Sequence, residues 1–108
     1  MPETILGEFE QLVLLALVRL GPEAYGVSIT DDIAQRTGRE VSLGSVYKTL
    51  ERLEDKGFVA SRVGDPTPER GGRRKKYYRL QAAGQRALAH SIEALRAMTE
   101  GLEADLRL

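Results

Sequence analysis

Cysteine is absent from the 108 residues, and histidine occurs once, as His90. Without cysteine there is no disulfide framework, no thiolate nucleophile and no Cys-based zinc site. A single histidine has no partner for a catalytic or metal-binding pair, and His90 reads as a surface residue. Long hydrophobic runs are missing as well. The best candidate, Leu12 to Val18, is bounded by Glu10 and Arg19. That is far short of the roughly 20 residues needed to span a bilayer, so it reads as a buried helix and no membrane partner is expected. The start, Met1-Pro2-Glu3, lacks the basic stretch of a secretory signal, which makes the cytoplasm the expected location. No G-x-x-x-x-G-K-S/T loop and no nucleophile elbow occurs. Asp31 and Asp32 are adjacent, and neighbours on a helix point about 100° apart, so they are not read as an acid–base pair. Neither an enzyme nor a cofactor is expected.

An excess of one charge is also lacking, since 16 basic residues balance 16 acidic ones. The balance is not local. Residues 1–40 carry three basic residues against seven acids, residues 41–79 ten against five, and residues 80–108 three against four. The positive charge is therefore concentrated in the middle third. It is the local field, not the total charge, that steers a polyanion.

What is present is a chain with 42% hydrophobic residues, enough for one small globular domain. Phe9, Leu12, Val13, Ala16, Leu17 and Leu20 recur at helical spacing over Glu8 to Leu20, and Gly21-Pro22 stops that helix. A second helix is predicted from about Tyr25 to Thr37, with Ile29, Ile33 and Ala34 inward and Gly38 after its end. Ser42 has the chemistry of an N-cap for a third helix. That helix has Val46, Leu50 and Leu53 on its apolar face and Gly57 beyond it. Phe58 to Val63 and Lys75 to Leu80 have strand composition. The Gly- and Pro-rich loop between them makes the pair a β-hairpin. From Ala82 to Leu108 a single long helix is predicted. Leu88, Ile92, Leu95, Thr99, Leu102 and Leu106 are spaced alternately by four and three, as in a coiled-coil seam with one polar position. Gly101 is a mild weakness within it.

The fold class is therefore mainly α with a β-hairpin. It is a winged helix-turn-helix domain over residues 1–80, followed by a C-terminal dimerisation helix over residues 81–108. The third helix is the candidate for the major groove of double-stranded DNA. Its outward side is predicted to carry Gly44, Ser45, Lys48, Thr49 and Arg52. Gly and Ser near the helix N-terminus allow close approach, and the terminus itself favours phosphate. Lys48 and Arg52, one turn apart, can reach guanine edges or phosphates, and Tyr47 can offer its hydroxyl to a phosphate. The plainer alternative is a solvated helix whose Lys48 and Arg52 pair with Glu51 and Asp55. The hairpin is more pointed. Arg70, Arg73, Arg74, Lys75, Lys76 and Arg79 are six cations in ten residues with no acid among them, and Gly71-Gly72 lets the loop lie close to a backbone. Such crowding of like charge calls for a polyanion. A winged helix used for protein contacts without DNA is the rival reading, and it has no need of six cations.

Three stretches resemble the PadR-type transcriptional regulators. They are Leu12-Val-Leu-Leu-Ala-Leu with Gly21-Pro-Glu-Ala-Tyr-Gly26, then Ser42-Leu-Gly-Ser-Val-Tyr-Lys-Thr-Leu50-Glu-Arg-Leu-Glu-Asp-Lys-Gly57, then Gly71-Gly-Arg-Arg-Lys-Lys-Tyr-Tyr-Arg-Leu80 with Ala83-Gly84. The resemblance covers roughly residues 6 to 90 in the right order. It implies a winged-helix repressor acting as a homodimer through its C-terminal helix and released from DNA by a small-molecule effector or other signal. It places recognition at Ser42, Gly44, Ser45, Tyr47, Lys48 and Arg52, and the wing at Gly71, Gly72, Arg73, Arg74 and Lys75. Three positions depart from the pattern: Leu43 and Lys48 stand where proline is frequent, and Gln81 stands where threonine commonly caps the last helix. The first two lie on the reading surface, so the operator cannot be borrowed from relatives. The C-terminal seam would lie in water unless a second copy covered it. The first helix, with Leu6, Phe9 and Val13, is placed to share that contact.

Overall fold

The computed structural model describes residues 5–64 and 74–108. Helix α1 (Glu8–Leu20) runs into a 3-10 turn at Gly21–Glu23, followed by α2 (Gly26–Thr37) and α3 (Leu43–Asp55). Strands β1 (Val59–Val63) and β2 (Lys76–Leu80) form an antiparallel hairpin, with Val59 opposite Leu80 and Val63 opposite Lys76. Helix α4 (Ala82–Thr99) and the single turn α5 (Glu103–Leu106) complete the order. The helical periods of the first three helices and the stop at Gly21 are as the sequence predicts. So is the cap: the Ser42 hydroxyl accepts from the Ser45 amide at 3.1 Å.

The core lies where α1, α2 and α3 cross beneath the hairpin. Val13, Leu14, Ile29, Val46, Leu50 and Leu53 are fully buried in it. Polar links fix the helices around this core. The Glu10 carboxylate accepts from the Gly7 amide at 2.9 Å and from Lys56 Nζ at 3.0 Å, joining the start of α1 to the end of α3. Burial alone would push Glu10 up. The Gly7 amide, Lys56 and the charge of Arg52 outweigh it and hold the carboxyl below the ordinary carboxylate range. Arg39, in the α2–α3 connection, holds both oxygens of Glu8, at 2.7 and 3.2 Å. Asp32 is not idle either, since it accepts from Arg19 and Arg36.

β2 is flanked on both sides. Besides β1, it meets the segment before α2, where Tyr25 bridges to Tyr77 and the Tyr78 amide donates to the Ala24 carbonyl at 2.9 Å. No strand is predicted there from the sequence. One residue pair is too short to show a period, and its extended backbone comes from lending that carbonyl to the sheet.

The C-terminal helix differs from the expected unbroken rod. α4 stops at Thr99, and Gly101 takes a φ of +85°, a left-handed conformation open to glycine at little cost. The Gly101 amide then turns to Glu103 Oε1 at 3.3 Å, and α5 restarts in a new direction. The seam is divided accordingly. Leu88 is only 5% exposed and packs into the domain's own core with Ile92 against it, so neither lies on a free face as predicted. Leu95 and Met98, 57% and 76% exposed, point away from the core, as do Leu102 and Leu106. Leu6 and Val13 are likewise core residues and not surface for a partner. Eighteen residues of α4 make about 27 Å of helix. The radius of gyration is 15.7 Å, against roughly 13 Å for a compact chain of this length.

Candidate nucleic-acid interface

One side of α3 is spent on the core and the other is bare. Val46, Leu50 and Leu53 face inward, and Gly44, Ser45, Tyr47, Lys48 and Arg52 face out. Thr49 does not share that outer face. It is 2% exposed, and its hydroxyl accepts from Arg52 Nη2 at 3.3 Å. A step of one residue from Lys48 turns the helix by about 100°, which carries Thr49 to the buried side with Val46 and Leu50. Lys48 and Arg52 make no ion pair with Glu51 or Asp55 among the described residues, so the solvated-pair alternative lacks its bonds. At the leading end of α3 the Ser42 hydroxyl also donates to the Ser45 hydroxyl at 2.7 Å, which leaves Gly44 and Ser45 at the exposed tip.

Tyr47 is held against α2. A Cβ on Gly26 would lie 2.5 Å from its ring carbon Cζ and from its hydroxyl oxygen, so only glycine lets the ring lie there. Tyr25, next to Gly26 in the chain, belongs to a second group. The Tyr25 and Tyr77 rings meet edge to face with centroids 5.6 Å apart. Arg62 sits over Tyr77 at 4.7 Å and Lys75 over Tyr25 at 4.5 Å. The loop-ward end of the hairpin is therefore a stack of cations and rings. Neither Tyr25 nor Arg62 is among the binding residues expected from the sequence. The available signal is an aromatic followed directly by a glycine, Tyr25-Gly26, which admits close packing; Arg62 is a lone cation in its strand and carries no such signal.

The basic hairpin residues divide. Arg70, Gly71, Gly72 and Arg73 lie outside the described residues. Arg74 is exposed, and Lys75 leans on Tyr25. Lys76 turns back to α3, 3.8 Å from Glu54 Oε1, while Ser61 of β1 donates to Glu54 Oε2 at 2.6 Å. Tyr78, beneath Lys76, is buried, and burial pushes its phenol up. Among the described residues no group of three or more His, Cys, Asp or Glu could hold a metal ion, and no helix is long and apolar enough to cross a membrane.

A capped helix with a bare polar face, set beside a basic hairpin, is an arrangement that occurs in known proteins. Residues 14–90 match the transcriptional regulator PadR-like family. The chain belongs to that family. Its members are transcriptional regulators and not enzymes. Among relatives of this PadR-like chain, transcriptional regulator Rv3488 of Mycobacterium tuberculosis is 39% identical over 75 residues. The match takes in 68% of this chain and 64% of that protein, so it spans less than two thirds of the relative's length. A PadR family transcription regulator from hypervirulent Clostridium difficile has the same fold. Its TM-score is 0.74 at 24% identity, over 93% of this chain and 99% of that one. Bacillus subtilis PadR, solved in complex with operator DNA, gives a TM-score of 0.65 at 26% identity, covering 78% of this chain and 47% of its own.

Proposed function

We propose that this PadR-like chain is a cytoplasmic repressor that binds an inverted-repeat operator in double-stranded DNA as a homodimer and leaves it on an incoming signal. The observation that carries the reading is the outer face of α3. It presents Gly44, Ser45, Tyr47, Lys48 and Arg52, with no carboxylate within 4.0 Å of Lys48 or Arg52 among the described residues, beside a hairpin rich in cations. In this arrangement α3 enters the major groove and reads base edges through Lys48 and Arg52. Arg74 and Lys75, with Arg70 and Arg73 in the loop beyond, lie along the phosphates. The complex of Bacillus subtilis PadR with operator DNA supports the assignment by kinship.

Residues 1–80 serve as the DNA-binding unit and residues 81–108 as the dimerisation segment. The exposed apolar side chains Leu95, Met98, Leu102 and Leu106 support this division, because a monomer in water gains by covering them and a second copy can do so by two-fold symmetry. Two reading helices about 34–36 Å apart would then select half-sites roughly 10 bp apart.

A gel shift on the DNA upstream of the chain's own gene, repeated across a salt series, tests the reading. The expected result is a retained band whose affinity falls steeply with salt, with a log–log slope of about −0.9 per phosphate neutralised. Failure to retain either that DNA or random duplex at low salt would overturn it.

A further inference from the structure

Between the last turn of α1, the 3-10 turn and one face of the hairpin lies a cleft of about 540 Å³, open on one side. Its size falls within the range of small-molecule sites, about 300–1,000 Å³. The floor and walls are apolar: Leu17, Val18, Pro22, Ala60 and the Tyr77 ring. Val18, at 59% exposure, is more open than Leu17, Ala60 or the Tyr77 ring.

Two charges enter this apolar setting. Ala60 pairs with Arg79 and Arg62 with Tyr77, so all four side chains project from one face of the two-stranded sheet. Arg62 and Arg79 are thus diagonal cross-strand neighbours, with backbones about 7–8 Å apart. Both line the cleft. Arg19, Arg36, Arg39, Lys56 and Lys76 all have a carboxylate within 4.0 Å. Arg62 and Arg79 have none among the described residues, although Arg62 is held in place by the Tyr77 ring. Arg79 sits one pair in from the Val59–Leu80 end of the hairpin, and Arg62 one pair in from the Val63–Lys76 end.

We infer that this cleft binds a small amphipathic anion, an apolar body with one acidic head, and that its occupancy sets the affinity for DNA. The body lies on Leu17, Val18 and Ala60, and the head takes the guanidinium groups of Arg62 and Arg79, whose planar donors suit a carboxylate or sulfonate. The cleft joins α1 to the hairpin, and Glu54 joins the hairpin to α3. A ligand seated there therefore acts on the hairpin's position relative to the reading helix. The binding site stands on the cleft alone. The effect on DNA rests on the function proposed above.

The test uses the full chain and two fluorescent probes that share one ring body, anilinonaphthalene sulfonate and its uncharged counterpart phenylnaphthylamine. The sulfonate should bind more tightly. Arg79→Glu, a change at an exposed side chain, should weaken the sulfonate at least about tenfold while leaving the uncharged probe unaffected. Ala60→Trp, which fills the cleft, should abolish both in a variant whose unfolding transition matches the parent's. Absence of sulfonate binding, or sulfonate binding that Arg79→Glu leaves unchanged, overturns the site whether or not Ala60→Trp folds. Fluorescence anisotropy of labelled upstream DNA then reads the coupling. Saturating sulfonate should shift the DNA affinity of the parent and not of Arg79→Glu. Probe binding with unchanged DNA affinity overturns the regulatory half alone. A chain that binds the probe but never DNA refutes the DNA-binding reading and leaves the ligand site intact.

Discussion

Gly84→Ala is the most informative single change in this chain. Gly84 opens α4 where that helix crosses the hairpin, and the Gln81 amide donates to the Phe58 carbonyl at 2.8 Å just before it. A Cβ at position 84 would lie 2.9 Å from Leu80 Cδ1 and 3.0 Å from the Phe58 carbonyl carbon, and closer still to the Phe58 carbonyl oxygen. Leu80 can rotate away, but the Phe58 backbone cannot, so α4 must lift. Two effects oppose each other. Alanine in place of glycine in a helix ordinarily gains about 0.5–1 kcal/mol. Overpacking of a tight contact typically costs about 1–3 kcal/mol. With backbone as the obstructing group the cost wins, and a net loss of about 1–2 kcal/mol is expected. For a domain of this size each kcal/mol shifts the midpoint by about 4–8 °C, so thermal unfolding followed by circular dichroism should show a clear fall. Gly44→Ala is the control. It lies in α3 with nothing within 4 Å of a new Cβ and no positive φ, so it should hold or raise the midpoint. A Gly84→Ala protein as stable as the parent would refute the idea that backbone contact fixes the departure of α4.

Other changes act at separate points. Gln81 caps α4 without a side-chain hydrogen bond, so Gln81→Thr should gain about 0.5–1 kcal/mol in denaturant unfolding, and no gain would mean that water already serves the free amides. The Glu10 carboxyl is held below its ordinary value, so its contribution is present above the ordinary carboxylate range and lost as pH falls through the lowered value. Stability measured from neutral pH down to about pH 3 should therefore fall less steeply in Glu10→Gln than in the parent, and parallel curves would refute the assignment. Lys48→Ala should cost about 1–3 kcal/mol on operator DNA and much less on random duplex; equal losses would make Lys48 a backbone contact. The double change Leu95→Asp/Leu102→Asp should convert a dimer to a monomer by light scattering, and a variant that stays dimeric would remove the α4–α5 strip from the interface.

Much of this fold is legible in the sequence because its signals are local. The 3.6-residue period of α1, the Ser42 hydroxyl three residues before its amide partner, and the glycines after α2 and α3 each act within a turn or two. What escaped depends on residues distant in the chain. Thr49 falls within the outward face that the helical period predicts, yet it is buried, because the packing of α3 against its neighbours carries the core edge past it. Leu88 continues a regular seam with Leu95 and Leu102, yet its Cβ faces the domain from which α4 springs, so one sequence pattern serves two surfaces. The halt at Gly101 is a near balance. A glycine costs an α-helix about 1 kcal/mol, and Glu103 offers its amide another acceptor. Tyr25 and Arg62 belong to a stack assembled from three segments, which no single window of sequence displays.

Glu54 sits in the last turn of α3, and its carboxylate takes Ser61 from β1 and Lys76 from β2. Hairpin and reading helix are thus joined like the jaws of a caliper clamped at one setting. On the proposed reading, a duplex whose groove is too narrow or too wide for that setting cannot be met by a small swing of one jaw. The DNA itself must twist or bend to fit, at a cost that varies with base sequence even where no side chain touches a base. One carboxylate in the body of the domain would in this way make the protein sensitive to the shape of DNA it never contacts.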